Sequence, residues 1–187
     1  MANWLTREIN KYLSIEETVL DLCCGNGIVS DGFLYSQITG VDVCEEYLAH
    51  YKEKLPNSKT KIYDLSKISS SSEEEFSTNK YDNVLCIDGV EHLEKEEGIA
   101  LIEKMEKMAN KRVVIFTPEN VNNPNVPTLN NPKNTWGISS GDHWQIHRSA
   151  FPRVFFQERG YKVIQCNMTR NVYDGTYYYE MLYVLEK

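Results

Sequence analysis

No apolar run in this 187-residue chain approaches the length of roughly 20 residues that a membrane-spanning helix needs, so no membrane partner is expected. Residues 1–12 are amphipathic rather than a charged stretch followed by an apolar one, which argues against a secretory signal. Cysteine is present five times, an odd number at irregular spacing, and no C-x-x-C pair occurs. Zinc-ribbon and thioredoxin-like readings therefore fall away, and reduced, mostly buried thiols in a cytoplasmic protein are expected. The triplet Asn167, Met168, Thr169 is read as a chance match to a glycosylation acceptor. Positive charge is also scarce: 20 Lys and Arg stand against 27 Asp and Glu, for a net charge of −7. With no basic cluster to offset that balance, a nucleic-acid partner is not expected. Internal repeats are absent, and the only low-complexity stretch, residues 69–75, reads as solvated surface. Composition leaves the oligomeric state open.

What is present is an alternation. Apolar residues at helical spacing mark residues 2–13, within an N-terminal helical segment 1–15. Short apolar runs at 18–23, 38–43, 59–63, 81–87 and 113–116 read as strands. Helices are expected between them at about 26–35, at 45–55 before Pro56, and at 95–110. Ser149 resembles an N-cap for a helix that carries Phe151, Val154 and Phe155 and ends at Gly160. Two more strands, 161–168 and 177–186, lie close enough in sequence to pair as an antiparallel hairpin. The expected fold is α/β, one domain over 1–187. It is a doubly wound, seven-stranded, mostly parallel sheet with a C-terminal antiparallel hairpin and helices on both faces.

One stretch breaks the rhythm. Residues 118–147 hold four of the six prolines and show little periodicity. Such a long irregular connection suits a lid or binding loop, and it leaves the fifth strand at its carboxyl end, where open α/β sheets bind ligands.

The strongest chemical signal is Val19, Leu20, Asp21, Leu22, Cys23, Cys24, Gly25, Asn26, Gly27: a buried strand ending in an acid, then a turn with two glycines. A following helix N-terminus would add unpaired N–H groups. A second acid, Asp42, ends the next strand 21 residues later, a position suited to ribose hydroxyls. The sheet therefore reads as a nucleoside binder. A dinucleotide loop would want a third glycine where Ser30 stands, and Asp21 would repel a pyrophosphate. An acid there better suits a cationic ligand such as a sulfonium.

On these residues the chain resembles the class I S-adenosylmethionine-dependent methyltransferases over about residues 16–186. The resemblance rests on the 21–27 loop, Gly40-Val41-Asp42, Tyr63-Asp64-Leu65, and the run from Tyr81 through Asp88, Gly89 and Val90 to Glu91-His92-Leu93. Cys23 stands where the family usually has its first loop glycine. The resemblance implies S-adenosylmethionine as cofactor and strand order 3-2-1-4-5-7-6 with the seventh strand antiparallel. It implies that Asp21 with Cys23, Gly25, Asn26 and Gly27 holds the methionine moiety and that Asp42, beside Val43, takes the ribose. Asp64 and Leu65 would face adenine, while Asp88 and Gly89 line the methionine end and the substrate mouth.

Simpler uses compete: Asp21 or Asp88 as helix caps, Asp42 or Asp64 as turn acids. The acid-rich stretch 91–97 reads as a solvated first helical turn.

His92, His143 and His147 are candidates for a general base, which a hydroxyl acceptor needs and an amine does not. Trp136, His143 and Trp144 are candidates for the acceptor pocket, since the 141–149 segment adjoins the irregular loop. His143 and His147 are four apart, but no third ligand is evident and the segment does not look helical, so no metal is expected. The expected activity is methyl transfer to an oxygen or nitrogen of a small molecule. The alternatives are an NAD-dependent oxidoreductase and a non-catalytic relative that binds a nucleoside or a protein partner.

Overall fold

The computed structural model describes residues 2–70, 81–119, 144–170 and 177–187. Seven strands form one sheet: β1 (Thr18–Leu22), β2 (Gln37–Asp42), β3 (Lys59–Ile62), β4 (Tyr81–Ile87), β5 (Ala109–Pro118), β6 (Lys162–Arg170) and β7 (Tyr177–Glu186). Their order is β3-β2-β1-β4-β5-β7-β6, and β7 alone runs antiparallel to its neighbours. The order and the terminal hairpin agree with the sequence reading.

Alternation along the strands sorts side chains to two faces. Val19, Ile38, Leu85 and Val114 pack with Leu5 and Ile9 of α1 (Ala2–Ile9) and with Tyr51 of α2 (Glu45–Lys54). Their strand neighbours Leu20, Val84 and Val113 pack on the other face with Leu101, Ile102 and Met105 of α3 (Lys95–Met108). Phe156 of α4 (Arg153–Glu158) joins that second layer and stacks on Tyr183 at 3.8 Å. Asp21 shares the parity of Val19, so it faces the α2 side.

Three helix expectations need correction. The helix expected at 26–35 is only a 3-10 turn, Ser30–Gly32. Two glycines, the β-branched Ile28 and Val29, and the turn-forming Ser30 and Asp31 leave little helix propensity there. The first helix stops at Ile9, where a tighter turn takes over through Tyr12 N–H to the Ile9 carbonyl at 2.9 Å. Ser149 does not cap α4; Pro152 occupies that position, and a residue before proline is steered away from helical geometry. Ser149 is buried instead, donating its backbone N–H to the Glu91 carbonyl at 3.1 Å.

Candidate active site

The carboxyl ends of the central parallel strands open on a cavity of about 300 Å³, within the usual range for small-ligand sites. Asp21, Asp42, Asp64 and Asp88 all contribute to its wall, as do Cys23, Gly25, Asn26, Val43, Leu65 and Gly89. Gly27 is the one expected cofactor residue that is not on the wall. Its positive φ of 75° and the Tyr51 ring beside it make it the hinge that turns the loop back.

The glycine loop is held from below. Gly25 N–H donates to Asp42 Oδ2 at 2.9 Å, and Cys44 N–H donates to Asp42 Oδ1 at 2.9 Å. Cys24 N–H reaches the Val41 carbonyl at 3.1 Å, Gly27 N–H the Cys24 carbonyl at 3.2 Å, and Ile28 N–H the Asn26 side chain at 3.2 Å. These amides therefore serve the loop itself rather than a phosphate. The donor array expected from a helix N-terminus is not built, because no helix starts there. Gly25 has open space where a Cβ would stand, so a ligand can lie directly on its backbone.

Asp21 is buried, and its Oδ2 accepts hydrogen bonds from Ser30 Oγ and, at 3.2 Å, from Tyr51 OH. Burial pushes its carboxyl up to about 7, opposed by those two hydroxyls and reinforced by Asp42. Asp42 is likewise raised by burial, opposed by backbone N–H groups. Ser30 thus has a use that pattern-reading cast only as a missing glycine. No local motif marks Tyr51 for this contact; its place on the inner face of α2 is the one signal the sequence carries.

Asp64 is arranged as a turn acid. It accepts the Ser66 N–H at 3.1 Å and the Ser66 hydroxyl at 2.7 Å, and it pairs with Lys67 at 3.3 Å. Burial raises its carboxyl, but these partners outweigh it and hold the group below its ordinary value. Asp88 opens onto the cavity with φ of 49°, while surrounding protein and the nearby Glu180 push its carboxyl up to about 7. Cys23 also has positive φ, 55°, adopting at the first glycine position the backbone that glycine takes without strain. Gly89 allows close packing: a Cβ there would lie 2.6 Å from both Cys23 Cβ and Cys86 Sγ.

Glu91 departs most from the sequence reading. It lies not in a solvated helical turn but in the 3-10 turn Val90–His92, at 1% exposure, accepting the Thr117 hydroxyl at 2.9 Å. The helical capping box falls later, between Glu94 and Glu97. His92 lines the cavity; His147 is buried behind it, ring edge to ring face at 5.1 Å between centroids. Burial lowers His92 to about 3, with His147 adding to the effect, and lowers His147 to about 4. Of the acceptor-pocket candidates, Trp144 reaches the cavity wall. Trp136 and His143, with most of the 118–147 loop, lie outside the described residues.

A family model described as "Methyltransferase domain" matches residues 19–112, about half the chain. No curated protein sequence matches. Among solved structures, the chain is similar to magnesium protoporphyrin IX methyltransferase (ChlM) from Synechocystis PCC 6803 with bound SAH. That match has 19% identity and a TM-score of 0.58, and covers 100% of this chain and 80% of the other. It is similar to the N-methyltransferase NodS from Bradyrhizobium japonicum WM9 in complex with S-adenosyl-L-homocysteine, at 11% identity and a TM-score of 0.66, covering 100% and 85%. The small RNA methyltransferase HEN1 matches at 17% identity and a TM-score of 0.61, covering 97% of this chain and 24% of that one.

Proposed function

The chain belongs to this methyltransferase-domain family and takes S-adenosylmethionine as its methyl donor; from that premise we propose that it methylates an oxygen or nitrogen atom of a small molecule. One observation supports the reading above others: Asp21, Asp42 and Asp88 converge around the open backbone of Gly25 in a single cavity. Acids on the wall and loop amides turned inward suit a cationic adenosine compound and oppose a pyrophosphate, which disfavours the NAD alternative.

Asp21 and the 23–26 backbone would hold the amino-acid end, Asp42 the ribose, and Asp64 with Leu65 the adenine edge. Asp42 keeps some acceptor capacity for hydroxyls, because an ionised carboxylate offers about four lone-pair sites and its backbone N–H partners, from Gly25, Val43 and Cys44, do not fill them. When bound, the cofactor would supply an electrophilic methyl group on a cationic sulfur that leaves as a neutral thioether. What the protein adds is alignment, for which effective molarities allow about 7–11 kcal/mol. Trp144 would wall the acceptor side, and the neutral His92 imidazole can accept a hydrogen bond from a hydroxyl acceptor. The described thiols Cys23, Cys24, Cys44 and Cys86 are free, which suits a reducing compartment such as the cytoplasm. Among the described residues, no helix is long and apolar enough to cross a membrane.

Calorimetric titration with S-adenosylhomocysteine and with NAD tests the cofactor assignment. Tight binding of the first alone is expected; binding of NAD alone would overturn it. Methyl-donor turnover over a panel of hydroxyl and amine metabolites then tests the acceptor class, and turnover confined to RNA or protein would defeat the small-molecule reading.

A further inference from the structure

The segment 146–149 is fastened to the turn that follows β4. Arg148 N–H donates to the Glu91 carbonyl at 2.8 Å, and the Arg148 guanidinium donates to the His92 carbonyl at 2.8 Å. This brings His147 beside the adjacent pair Glu91 and His92, which lie far from it in the sequence. Glu91, His92 and His147 each present one donor atom, and all three atoms lie within 4.8 Å of one another. Adjacent ligands of an octahedral ion with bonds near 2.1 Å stand about 3 Å apart, so small side-chain rotations would close the set.

We propose that Glu91, His92 and His147 form a binding site for a first-row divalent metal ion at the acceptor end of the cavity.

Three features go beyond the mere presence of ligand types. His147 is 7% exposed, and its buried Nδ1 has no hydrogen-bond partner, an arrangement that costs stability unless something else is bound there. Glu91 is oriented by the Thr117 hydroxyl, and His92 Nδ1 lies 3.4 Å from the Ile146 carbonyl. Ligating carboxylates and imidazoles are commonly fixed by such outer hydrogen bonds. Both imidazoles are neutral near pH 7, as ligands must be.

Two imidazoles and one carboxylate favour Mn²⁺, Co²⁺, Fe²⁺ or Zn²⁺ over Mg²⁺, and three protein ligands leave positions open. Because His92 faces the cavity, an open position there would hold an oxygen of the acceptor and lower the pKa of a hydroxyl. That use rests on the methyl-transfer reading, and it narrows the acceptor to one that presents an oxygen. It also turns His92 and His147 from candidate bases into ligands. The binding itself does not depend on the cofactor.

The test is calorimetry and thermal melting of the chelator-treated full chain with Co²⁺, Mn²⁺ and Mg²⁺, without cofactor. One Co²⁺ or Mn²⁺ per chain is expected, with a raised melting temperature and Mg²⁺ at least about tenfold weaker. His147→Phe should lose more than about a hundredfold in Co²⁺ affinity while its metal-free melting temperature holds or rises, since an unpartnered nitrogen is removed. Glu91→Gln, which keeps an acceptor for Thr117, should lose affinity similarly. Absent Co²⁺ and Mn²⁺ binding, undiminished binding in His147→Phe, or equal Mg²⁺ affinity would each overturn the site. S-adenosylhomocysteine binding, measured separately, distinguishes a failed metal site from a failed cofactor assignment.

Discussion

The two ends of the parallel sheet carry the same kind of residue in opposite circumstances. At the amino ends of β1, β4 and β5, Glu17 takes hydrogen bonds from Asn83, Lys111 and Arg112 at 2.9–3.2 Å. Asp82 accepts the Thr18 N–H at 3.0 Å and pairs with Lys111 at 3.3 Å. Burial would raise Glu17, but its partners outweigh it; the Thr18 N–H leads in lowering Asp82. At the carboxyl ends, Asp21 and Asp42 are met by hydroxyls and backbone N–H groups rather than full positive charge, and Asp88 faces another acid. All three are raised, Asp21 and Asp42 chiefly by burial and Asp88 by the surrounding protein and Glu180. Cys23 and Asp88, the two non-glycine residues with positive φ among those described, also sit at that end. One end is settled electrostatically; the other keeps a charge cost that a cationic ligand can relieve, beside two strained backbone positions.

The contrast can be broken most sharply at Asp21. Its folded pKa is raised, so the folded state holds the extra proton and stability falls as pH rises from about 4 through 7. Asp21→Asn should therefore stabilise the ligand-free protein at pH 8 by about 2–4 kcal/mol and by little at pH 4. The same variant should erase any preference for S-adenosylmethionine over its neutral product. Melting curves across pH and paired titrations check both; equal stabilisation at both pH values would refute the linkage.

Next in size, Asp42→Ala should weaken S-adenosylhomocysteine binding by about 1–3 kcal/mol, since it removes the loop's anchor together with the ribose acceptor. Unchanged affinity in calorimetry would remove both roles. Gly89→Ala should cost about 1–3 kcal/mol in denaturant unfolding, because the added methyl meets two packed cysteines.

At the settled end, Glu17→Gln should cost about 1–2 kcal/mol at pH 7 and leave cofactor affinity unchanged. Since Glu17 is lowered in the fold, its contribution should fade as pH drops below about 4. A loss of affinity would mean that the two ends are coupled. Smallest of all, Cys23→Gly should change stability by less than about 1 kcal/mol, relief of the left-handed backbone offsetting lost packing.

Much of this was legible in the chain. Strand parity and apolar runs located the sheet, and the acids at the ends of β1 and β2 located the cavity, because both signals are local. What escaped is non-local. Tyr51 reaches Asp21 only because α2 folds over the glycine loop. The amphipathic spacing that places Tyr51 inward says nothing of the hydroxyl's target. Glu91 reads as surface among four acids in seven residues, yet it is buried because 146–149 folds against its turn. Pairing His147 with His143 followed from sequence spacing; pairing it with His92 required the fold. The expected helix at 26–35 failed where turn chemistry outweighed the alternation of strands and helices.

The reversed direction of β7 has a practical consequence. Pro118 of β5 pairs with Glu180 near the beginning of β7, so β7 presents its first residues to the cavity side. Its last residues are carried to the far edge, where Lys187 N–H meets the Lys111 carbonyl at 2.8 Å. A reporter or affinity handle joined after Lys187 would thus grow away from the ligand entrance, beside the Glu17 cluster, and leave binding measurements undisturbed.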